Sequence, residues 1–322
     1  MQPDQPWYLP INGQTRSIVF TYHGLHNRQP RSQIDRRLFR NSISEHSFLN
    51  QLERLRSSVV TKVIDSQSRL IFKTLFRNHE ILLTFDDGYA NSFRAAEMFF
   101  DKFGKAPLTV FLTTGLVGSS RSIWTVEVAL LLLKARFSGP AIEFDGNQFA
   151  IGSEEERLQT FNLVRYKLKE MPTGKRQANC KLIFDQALPG ELELLMSEYP
   201  EFQLLNLEQI REMRSMGVRF QPHGHDHEIL HRNQDSEIMR REIVESKAFI
   251  EGRLKEKCTH FAYSNGTYCD AAISILEENG FAGAFTTKTG VATRLQNNFE
   301  IPRFTPSSNP RKYKKQLRGR SA

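Results

Sequence analysis

The feature that most constrains the fold is an apolar run that leads directly into two adjacent carboxylates and a glycine. Ile81-Leu82-Leu83 precedes Thr84-Phe85-Asp86-Asp87-Gly88, which predicts a buried strand with two acids at its C-terminal end and a sharp turn after them. Adjacent carboxylates repel each other, so holding both ionised requires a compensating cation. A metal ion would meet that need and would let one acid act as a ligand and its neighbour as a base. An ordinary Asp-Asp-Gly turn is the alternative interpretation.

A second strand-like run leads into a cluster of histidines. Gly217-Val218-Arg219-Phe220 is followed shortly by His223-Gly224-His225-Asp226-His227. Imidazole is a common ligand of divalent transition metals. His223 and His227 suit one face of a helical turn, whereas His225 would reach that side only from an extended segment. A solvated loop is the alternative, but two such clusters after predicted strands favour a shared metal site with positions left open for water and substrate.

Strand and helix signals alternate along the chain, which predicts a parallel sheet. The predicted strands are residues 18–22, 81–85, 108–113, 218–221, 260–263 and 281–286. The predicted helices start at about Ser44 and then cover residues 90–103, 207–216, 236–254 and 271–279. The candidate polar residues follow the C-terminal ends of strands, where α/β barrels build their sites. Residues 116–205 interrupt this rhythm with a short apolar run at 128–133, a charged helix at 154–171 and a helical segment at 181–197, and we expect a helical insertion over the barrel mouth.

The motifs resemble those of the polysaccharide deacetylase family, the NodB-homology group of carbohydrate esterases. Residues 84–88 are similar to the first motif of that family and residues 223–227 to the second, a His-x-x-x-His pair. Phe261-Ala262-Tyr263-Ser264-Asn265-Gly266 resembles the third, although Ser264 stands where proline is usual and Ala262 where many members have arginine. The resemblance runs from about Ser17 to Thr305. It implies an α/β fold, a distorted (β/α) barrel of the NodB-homology type with a helical insertion.

The resemblance also implies roles for individual residues. Asp86 would be the general base towards the attacking water, and Asp87, His223 and His227 would hold a divalent metal. The family suggests Zn²⁺ most often, with Co²⁺, Ni²⁺ or Mn²⁺ as alternatives. The backbone N–H of Asn265 would help to stabilise the oxyanion of the tetrahedral intermediate.

A general acid is expected from the N-terminal part of the chain. Many family members take it from a histidine near the C-terminus, but no histidine follows Thr286. The run Ser17-Ile18-Val19-Phe20-Thr21-Tyr22 is instead a predicted strand that ends at His23. This start is similar to that of the circularly permuted branch of the family, and we assign His23 as the general acid. A core histidine that caps a strand end is the alternative.

Arg303 is a further candidate catalytic residue. It lies in Ile301-Pro302-Arg303-Phe304, and permuted relatives often have a similar Pro-Arg after the last strand. An arginine near Asp86 would lower the pKa of that carboxyl group and orient it, in place of the arginine missing at Ala262. An ordinary surface arginine is the alternative.

Three aromatic residues are expected to bind substrate. Tyr89 or Trp124 could stack on a sugar ring, and Tyr263 belongs to the third motif. Ordinary packing is the alternative for each of them.

Composition and charge set the expected organisation and surroundings. We predict an N-terminal extension at 1–16, the deacetylase domain at 17–305 and a basic C-terminal tail at 306–322. The formal net charge is +8, and much of it lies in a tail expected to be solvated and mobile, with possible weak contact to anionic lipid headgroups. The start shows no signal-peptide pattern, and the 3 cysteines show no metal or disulfide spacing. A cytoplasmic location, peripheral to the membrane at most, is therefore expected.

The sequence thus predicts a metal-dependent hydrolase that removes N-acetyl groups from a polysaccharide, an oligosaccharide or a lipid-linked amino sugar. Hydrolysis of a non-carbohydrate amide, including small cyclic amides, is one alternative. A glycan-binding pseudoenzyme is another, because of Ala262 and Ser264. Nucleic-acid binding is not expected, since no recognition motif accompanies the positive charge. The sequence gives no indication of the oligomeric state.

Overall fold

The structure is a computed structural model that describes residues 16–58, 70–73, 78–293 and 297–321. The predicted N-terminal extension lies outside these residues, except for Arg16. The strands are β1 (Arg16–Tyr22), β2 (Gly24–His26), β3 (Ser42–Ser44), β4 (Leu70–Lys73), β5 (Asn78–Phe85), β6 (Leu108–Leu112), β7 (Ala141–Phe144), β8 (Asn147–Ala150), β9 (Arg219–Pro222), β10 (His260–Ala262) and β11 (Gly283–Phe285). The helices are α1 (Gln33–Leu38), α2 (Glu45–Ser58), α3 (Asn91–Phe103), α4 (Trp124–Lys134), α5 (Glu154–Glu170), α6 (Thr173–Gln186), α7 (Glu191–Glu198), α8 (Leu207–Ser215), α9 (Ser236–Phe249), α10 (Asp270–Glu278) and α11 (Pro310–Gln316).

The central sheet is parallel, as the alternating pattern predicts. Its order is β1-β5-β6-β9, and β4 pairs antiparallel with the start of β5. Strand β5 is central because its apolar residues 81–83 are buried on both faces of the sheet, which is the usual condition of a parallel strand between helices. All four parallel strands point their C-terminal ends the same way, so the residues that follow them meet at one edge.

The sheet curves towards a barrel with the help of a short extended segment, residues 301–304. The N–H of Ile301 donates to the carbonyl of Ala284 on β11 at 2.9 Å, and the N–H of Phe304 donates to the carbonyl of Val19 on β1 at 2.7 Å. The segment therefore bridges the pair β10-β11 to β1, and Arg303 lies within it.

On the other side, the side chain of Gln221 joins β9 to the start of β10. Its Nε2 donates to the carbonyl of Lys257 at 3.0 Å, and its Oε1 accepts from the N–H groups of Thr259 at 2.8 Å and His260 at 3.0 Å. Between β9 and β10, hydrogen bonds to a side-chain amide replace the regular backbone hydrogen bonds of a sheet, and the barrel is distorted there. The expected fold class, a distorted (β/α) barrel, is confirmed.

Two layers of apolar residues hold the barrel together. Val19, Leu82, Phe111, Phe285 and Ile301 come from strands or extended segments only, and they form the barrel interior. The alternate residues of the same strands, such as Phe20 and Leu83, pack outwards against the helices. This alternation follows from the two-residue period of a strand.

The insertion has a hydrophobic core of its own, made by α4 to α7 together with α1. Leu130, Val164 and Ile183 are fully buried in it. The expected helical insertion is present, with two differences. It also contains the β7–β8 hairpin, which turns at Asp145-Gly146, and the helical segment predicted at 181–197 is divided between α6 and α7 by Pro189-Gly190. Proline lacks an N–H and glycine adopts positive φ readily, so this pair ends a helix.

The basic C-terminal segment corrects a prediction. It was expected to be a solvated, mobile tail, but its residues form α11, in which Tyr313 is fully buried. The Tyr313 ring packs 5.2 Å from the Phe20 ring, centroid to centroid. The sequence gives little indication of this helix, because its two buried residues, Tyr313 and Gln316, are separated by two lysines.

None of the helices in the described ranges has both the length and the apolar composition that crossing a bilayer requires.

Candidate active site

All candidate residues except Trp124 and Arg303 line one cavity of about 520 Å³ at the C-terminal edge of the sheet. His23 follows β1, the two aspartates follow β5, and His223 follows β9. The backbone brings the first two together, since the N–H of Asp86 donates to the carbonyl of Tyr22 at 2.8 Å. Strand order therefore explains why residues distant in sequence line the same cavity.

Asp87, His223 and His227 form a buried triad, and we use this name for them below. The Nε2 atoms of His223 and His227 lie 3.1 and 3.3 Å from the same Oδ1 of Asp87. One possible ligand atom from each residue falls within 4.8 Å of the others. Two imidazole nitrogens and a carboxylate oxygen directed at one point are the donor set of a catalytic metal site. The triad fits a divalent cation.

The surroundings of the histidines support this interpretation. His223 Nδ1 lies 2.8 Å from the carbonyl oxygen of Ala262. It must donate there, so Nε2 is the nitrogen that faces Asp87, and it can ligate a metal once it has lost its proton. The backbone carbonyl of His227 accepts from Trp124 Nε1 at 3.1 Å, which fixes the loop that carries the second imidazole.

The protonation of the triad follows from burial and mutual contact. Burial alone would raise the pKa of Asp87, but hydrogen bonds from His223 and His227 hold it well below its usual value. Burial lowers the pKa of His227 in spite of the same carboxylate. Burial would also lower the pKa of His223, yet its contact with Asp87 and the charge of Asp86 raise it. The carboxylate is therefore ionised, and at least one imidazole is readily neutral, as metal ligation requires.

Asp86 forms a buried ion pair with Arg303, which lies 217 residues later in the sequence. Arg303 Nη1 donates to Asp86 Oδ1 at 2.7 Å and Nη2 to Oδ2 at 2.6 Å. Thr21 Oγ1 also donates to Asp86 at 3.2 Å. Burial would raise the pKa of this carboxyl group, but the Arg303 charge lowers it. The predicted proximity of Arg303 and Asp86 is thus found, and Arg303 is fully buried rather than a surface residue.

His23 lines the same cavity and is half-buried. Its Nδ1 is buried without a hydrogen-bond partner among the described residues. The position of His23 at the cavity, together with the triad, is what keeps it a candidate for contact with a substrate.

The third-motif loop borders the cavity through Tyr263, Asn265 and Gly266. Asn265 has a left-handed backbone with φ of 59°, and its side-chain carbonyl accepts a hydrogen bond from Lys169 of α5. Ser264, in place of the usual proline, donates to the carbonyl of His223 at 3.1 Å. This bond connects the third motif to the histidine loop.

The predicted aromatic residues lie in different places. Tyr89 and Tyr263 line the cavity, and burial together with the Asp87 charge raises the pKa of Tyr89 well above its usual value. Trp124 is not among the residues that line it. Its ring lies 4.7 Å from the Arg176 guanidinium, so the predicted contact with a sugar is replaced by a cation–π contact with the insertion.

Sequence reasoning missed Glu242 of α9, which organises the histidine loop. Its fully buried carboxylate accepts from the N–H groups of His225 at 2.9 Å, Asp226 at 2.9 Å and Glu228 at 3.1 Å. A Cβ on Gly224, which has φ of 93°, would lie 2.5 Å from this carboxylate. His225 itself is directed away from the triad, towards Thr114 and Glu245. A glutamate inside an amphipathic helix gives no sign in the sequence that it is buried.

Comparison with known proteins supports the resemblance. Residues 191–284, which include both triad histidines and the third motif, match the family model described as polysaccharide deacetylase. No curated protein matches the sequence.

Solved structures of deacetylases have a similar fold. The deacetylase PplD of Streptococcus pyogenes, in complex with acetate, is 16% identical over 94% of this chain and 97% of its own, with a TM-score of 0.55. IcaB of Ammonifex degensii is 18% identical over 94% and 97%, with a TM-score of 0.52. BC0361, a polysaccharide deacetylase of Bacillus cereus, is 15% identical over 91% of this chain and 65% of its own, with a TM-score of 0.51. At these identities the likeness concerns the fold.

Proposed function

We propose that the chain is a metal-dependent hydrolase that removes N-acetyl groups from a glycan, because residues 191–284 match the polysaccharide deacetylase family model and the fold is similar to that of solved deacetylases. The substrate would be an N-acetylated polysaccharide, oligosaccharide or lipid-linked amino sugar. The observation that carries the proposal is the buried triad at one cavity together with the Asp86–Arg303 pair.

Asp87, His223 and His227 would hold the cation, most simply Zn²⁺, since a carboxylate with two imidazoles suits this ion. Co²⁺, Ni²⁺ and Mn²⁺ are the alternatives. When bound, the cation would supply Lewis-acid chemistry and lower the pKa of water.

Asp86 would take the proton of the attacking water. The bidentate contact with Arg303 keeps its carboxylate ionised at neutral pH and fixes its orientation. A positioned base of this kind typically contributes about 10²–10⁴-fold to the rate.

The remaining residues would act on the other atoms of the acetamide. The backbone N–H of Asn265 would donate to the oxygen that becomes negatively charged, and a donor of this type is worth about 3–4 kcal/mol in the transition state. His23 would give a proton to the departing amine. Tyr89 and Tyr263, which line the cavity, would contact the sugar.

The test combines metal analysis with acetate release. We expect the purified protein to bind one divalent ion per chain, to release acetate from N-acetylhexosamine oligomers, and to leave the rings of cyclic ureides unopened. Asp87→Asn and His227→Gln should lose both the metal and the activity.

The matched control is His225→Gln, because His225 lies between the two ligands but outside the triad. It should retain the metal and most of the activity. The proposal fails if Asp87→Asn keeps its metal and its rate, or if the metal-loaded protein binds glycans and releases no acetate from any of them.

A further inference from the structure

Three arginines line the cavity beside the triad, and we call Arg37, Arg40 and Arg165 the arginine cluster. Arg37 belongs to α1 and Arg165 to α5 of the insertion. An adjoining groove of about 630 Å³ is lined by the same three residues. The cluster therefore borders both the outer groove and the cavity that contains the triad.

Within the described ranges, no carboxylate forms an ion pair with the arginine cluster. The Nε atoms of Arg37 and Arg165 are buried and have no hydrogen-bond partner in the part of the chain that the structure describes. By contrast, the buried residues Arg176 and Arg303 are paired with Glu228 and Asp86. Burial and the charges of neighbouring arginines lower the pKa of Arg37 and of Arg165. Arg37 and Arg165 are partly buried and Arg40 is exposed, so positive charge without a partner faces the cavity, and a ligand that supplies negative charge is the natural complement.

The geometry of the cluster is fixed by an aromatic ring. The guanidinium carbon of Arg37 lies 5.1 Å from the centroid of Phe161, and that of Arg165 lies 5.9 Å from the same centroid. Stacking of this kind orients the planar guanidinium groups. Lys169, one turn after Arg165, reaches Asn265 of the third motif. The positive charge therefore begins next to the loop where the acyl group would react.

The acids of the cavity do not offset this charge. Asp86 is neutralised by Arg303, and Asp87 is occupied by the two triad histidines. Two to three guanidinium groups match a phosphate, which carries about −1.5 to −2 charges and several acceptor oxygens. A single carboxylate would leave part of the positive charge uncompensated.

We infer that the cavity binds an N-acetylated sugar that carries a phosphate group, with the phosphate on the arginine cluster and the acetamide at the triad. This inference rests on the proposed deacetylase function and narrows its substrate class.

Equilibrium binding tests the inference without relying on turnover. The probes are glucosamine 1-phosphate and glucosamine, which have no acetyl group to lose, measured by calorimetry on the metal-loaded protein. The phosphorylated sugar should bind at least tenfold more tightly. Arg37→Gln and Arg165→Gln should each weaken its binding roughly ten- to a hundredfold, as expected for charge-assisted hydrogen bonds, and leave the weak binding of glucosamine unchanged.

Lys167→Gln is the matched control. It removes the same charge from the same helix, but Lys167 pairs with Asp145 and is not part of the cavity lining. It should change the affinity for glucosamine 1-phosphate by less than twofold. Equal binding of the two sugars, or an equal loss in Lys167→Gln and Arg165→Gln, would overturn the inference.

Binding measurements with other anions identify the chemical source of the negative charge. Inorganic phosphate alone should bind weakly and compete with the phosphorylated sugar. Binding of muramic acid, a carboxylate sugar, and binding to phosphatidylglycerol vesicles should each be weakened less by the arginine substitutions than binding of glucosamine 1-phosphate. A larger loss for either of these two probes would contradict a site for a sugar-linked phosphate.

The two proposals can fail separately. Cluster-dependent binding without acetate release from any substrate would refute the deacetylase function and retain the anion site. The opposite result is acetate release from neutral glycans at the same rate in Arg165→Gln and in the wild type, with no preference for phosphorylated substrates. It would refute the anion site and retain the deacetylase function.

Discussion

At the scale of single residues, the chain separates two adjacent carboxylates into different environments. Asp86 ends a strand and turns to Arg303, whereas Asp87 adopts a left-handed backbone with φ of 71° and turns to the histidines. Such a backbone costs a non-glycine residue about 1–2 kcal/mol. In return, two acids that would otherwise repel each other each face a cationic partner, so one can be a base while its neighbour is a ligand.

Replacing Arg303 by methionine tests this separation. The substitution leaves the buried Asp86 carboxylate without its partner, and removal of one member of a buried pair costs about 3–5 kcal/mol. Since Arg303 lowers the pKa of Asp86, that pKa should rise in the variant. The acid limb of the pH–rate profile should then move to higher pH, because the base becomes protonated earlier.

Urea unfolding and initial rates between pH 4 and 8 measure both effects. Arg303→Lys is the control, because it keeps the charge and loses only the bidentate contact, and it should be intermediate. A pH profile of Arg303→Met that coincides with that of the wild type would show that Arg303 does not set the protonation of the base.

At the scale of elements, α9 holds the histidine loop through one glutamate. In Glu242→Gln, an amide N–H₂ replaces an acceptor that faces the backbone N–H groups of residues 225, 226 and 228. Leaving such donors unsatisfied costs about 1–3 kcal/mol. The displaced loop should also weaken metal affinity about 10–100-fold, as loss of a supporting contact to metal ligands typically does. Metal competition with a chromophoric chelator measures this affinity, and the exposed Glu237→Gln on the same helix should leave it unchanged.

The same glutamate predicts a pH dependence of stability. Burial raises the pKa of Glu242 from 4.5 to about 7. The folded protein therefore holds a proton that the unfolded chain releases, and stability from this residue falls as the pH rises from 4.5 to about 7. The difference in unfolding free energy between wild type and Glu242→Gln should change across that window and be flat below it. A difference that is constant from pH 4 to 8 would contradict the assignment.

Helix α11 makes a further prediction at this scale. Tyr313 packs on Phe20 of β1, and Gln316 Nε2 donates to the carbonyl of Thr305 at 2.8 Å. Tyr313→Ala should therefore destabilise the domain by about 3–5 kcal/mol, as removal of a buried aromatic ring does. Lys314→Ala, on the exposed face of the helix, should have little effect. Equal denaturation midpoints for the two variants would mean that α11 does not contribute to the barrel. Membrane contact through its basic face stays a prediction.

Most barrel elements could be predicted because each carries a local signal, whereas the missed ones depend on distant contacts. The strand before Asp86 contains an apolar run, and each of the strands before Asp86 and His223 leads into a cluster of polar residues, so the ends of these strands could be predicted from the sequence. The β7–β8 hairpin had a signal in the sequence, because an Asp-Gly pair favours a two-residue hairpin turn in which both residues have positive φ. Asp145 and Gly146 have that backbone. By contrast, Gln221 and Glu242 become structural only once β9, β10 and α9 are assembled.

At the scale of the whole molecule, the site lies between two hydrophobic cores. The barrel core positions the triad, and the insertion core positions α5, which carries Arg165 and Lys169 to the cavity. The triad could be predicted from the polar residues that follow the ends of the strands. The arginine cluster could not, because it exists only when α5 packs beside α1, more than a hundred residues earlier in the chain.

The last prediction concerns metal removal, which should affect the stability of the whole domain. The triad joins β5 to the loop after β9, so a cation bound there stabilises only the folded chain. Metal at about a thousand times its Kd should add about 4 kcal/mol to the free energy of unfolding. A chelator should therefore lower the Tm of wild type and of His225→Gln to a similar extent, and leave the Tm of His227→Gln unchanged. An equal response of His227→Gln to the chelator would place the stabilising ion elsewhere in the molecule.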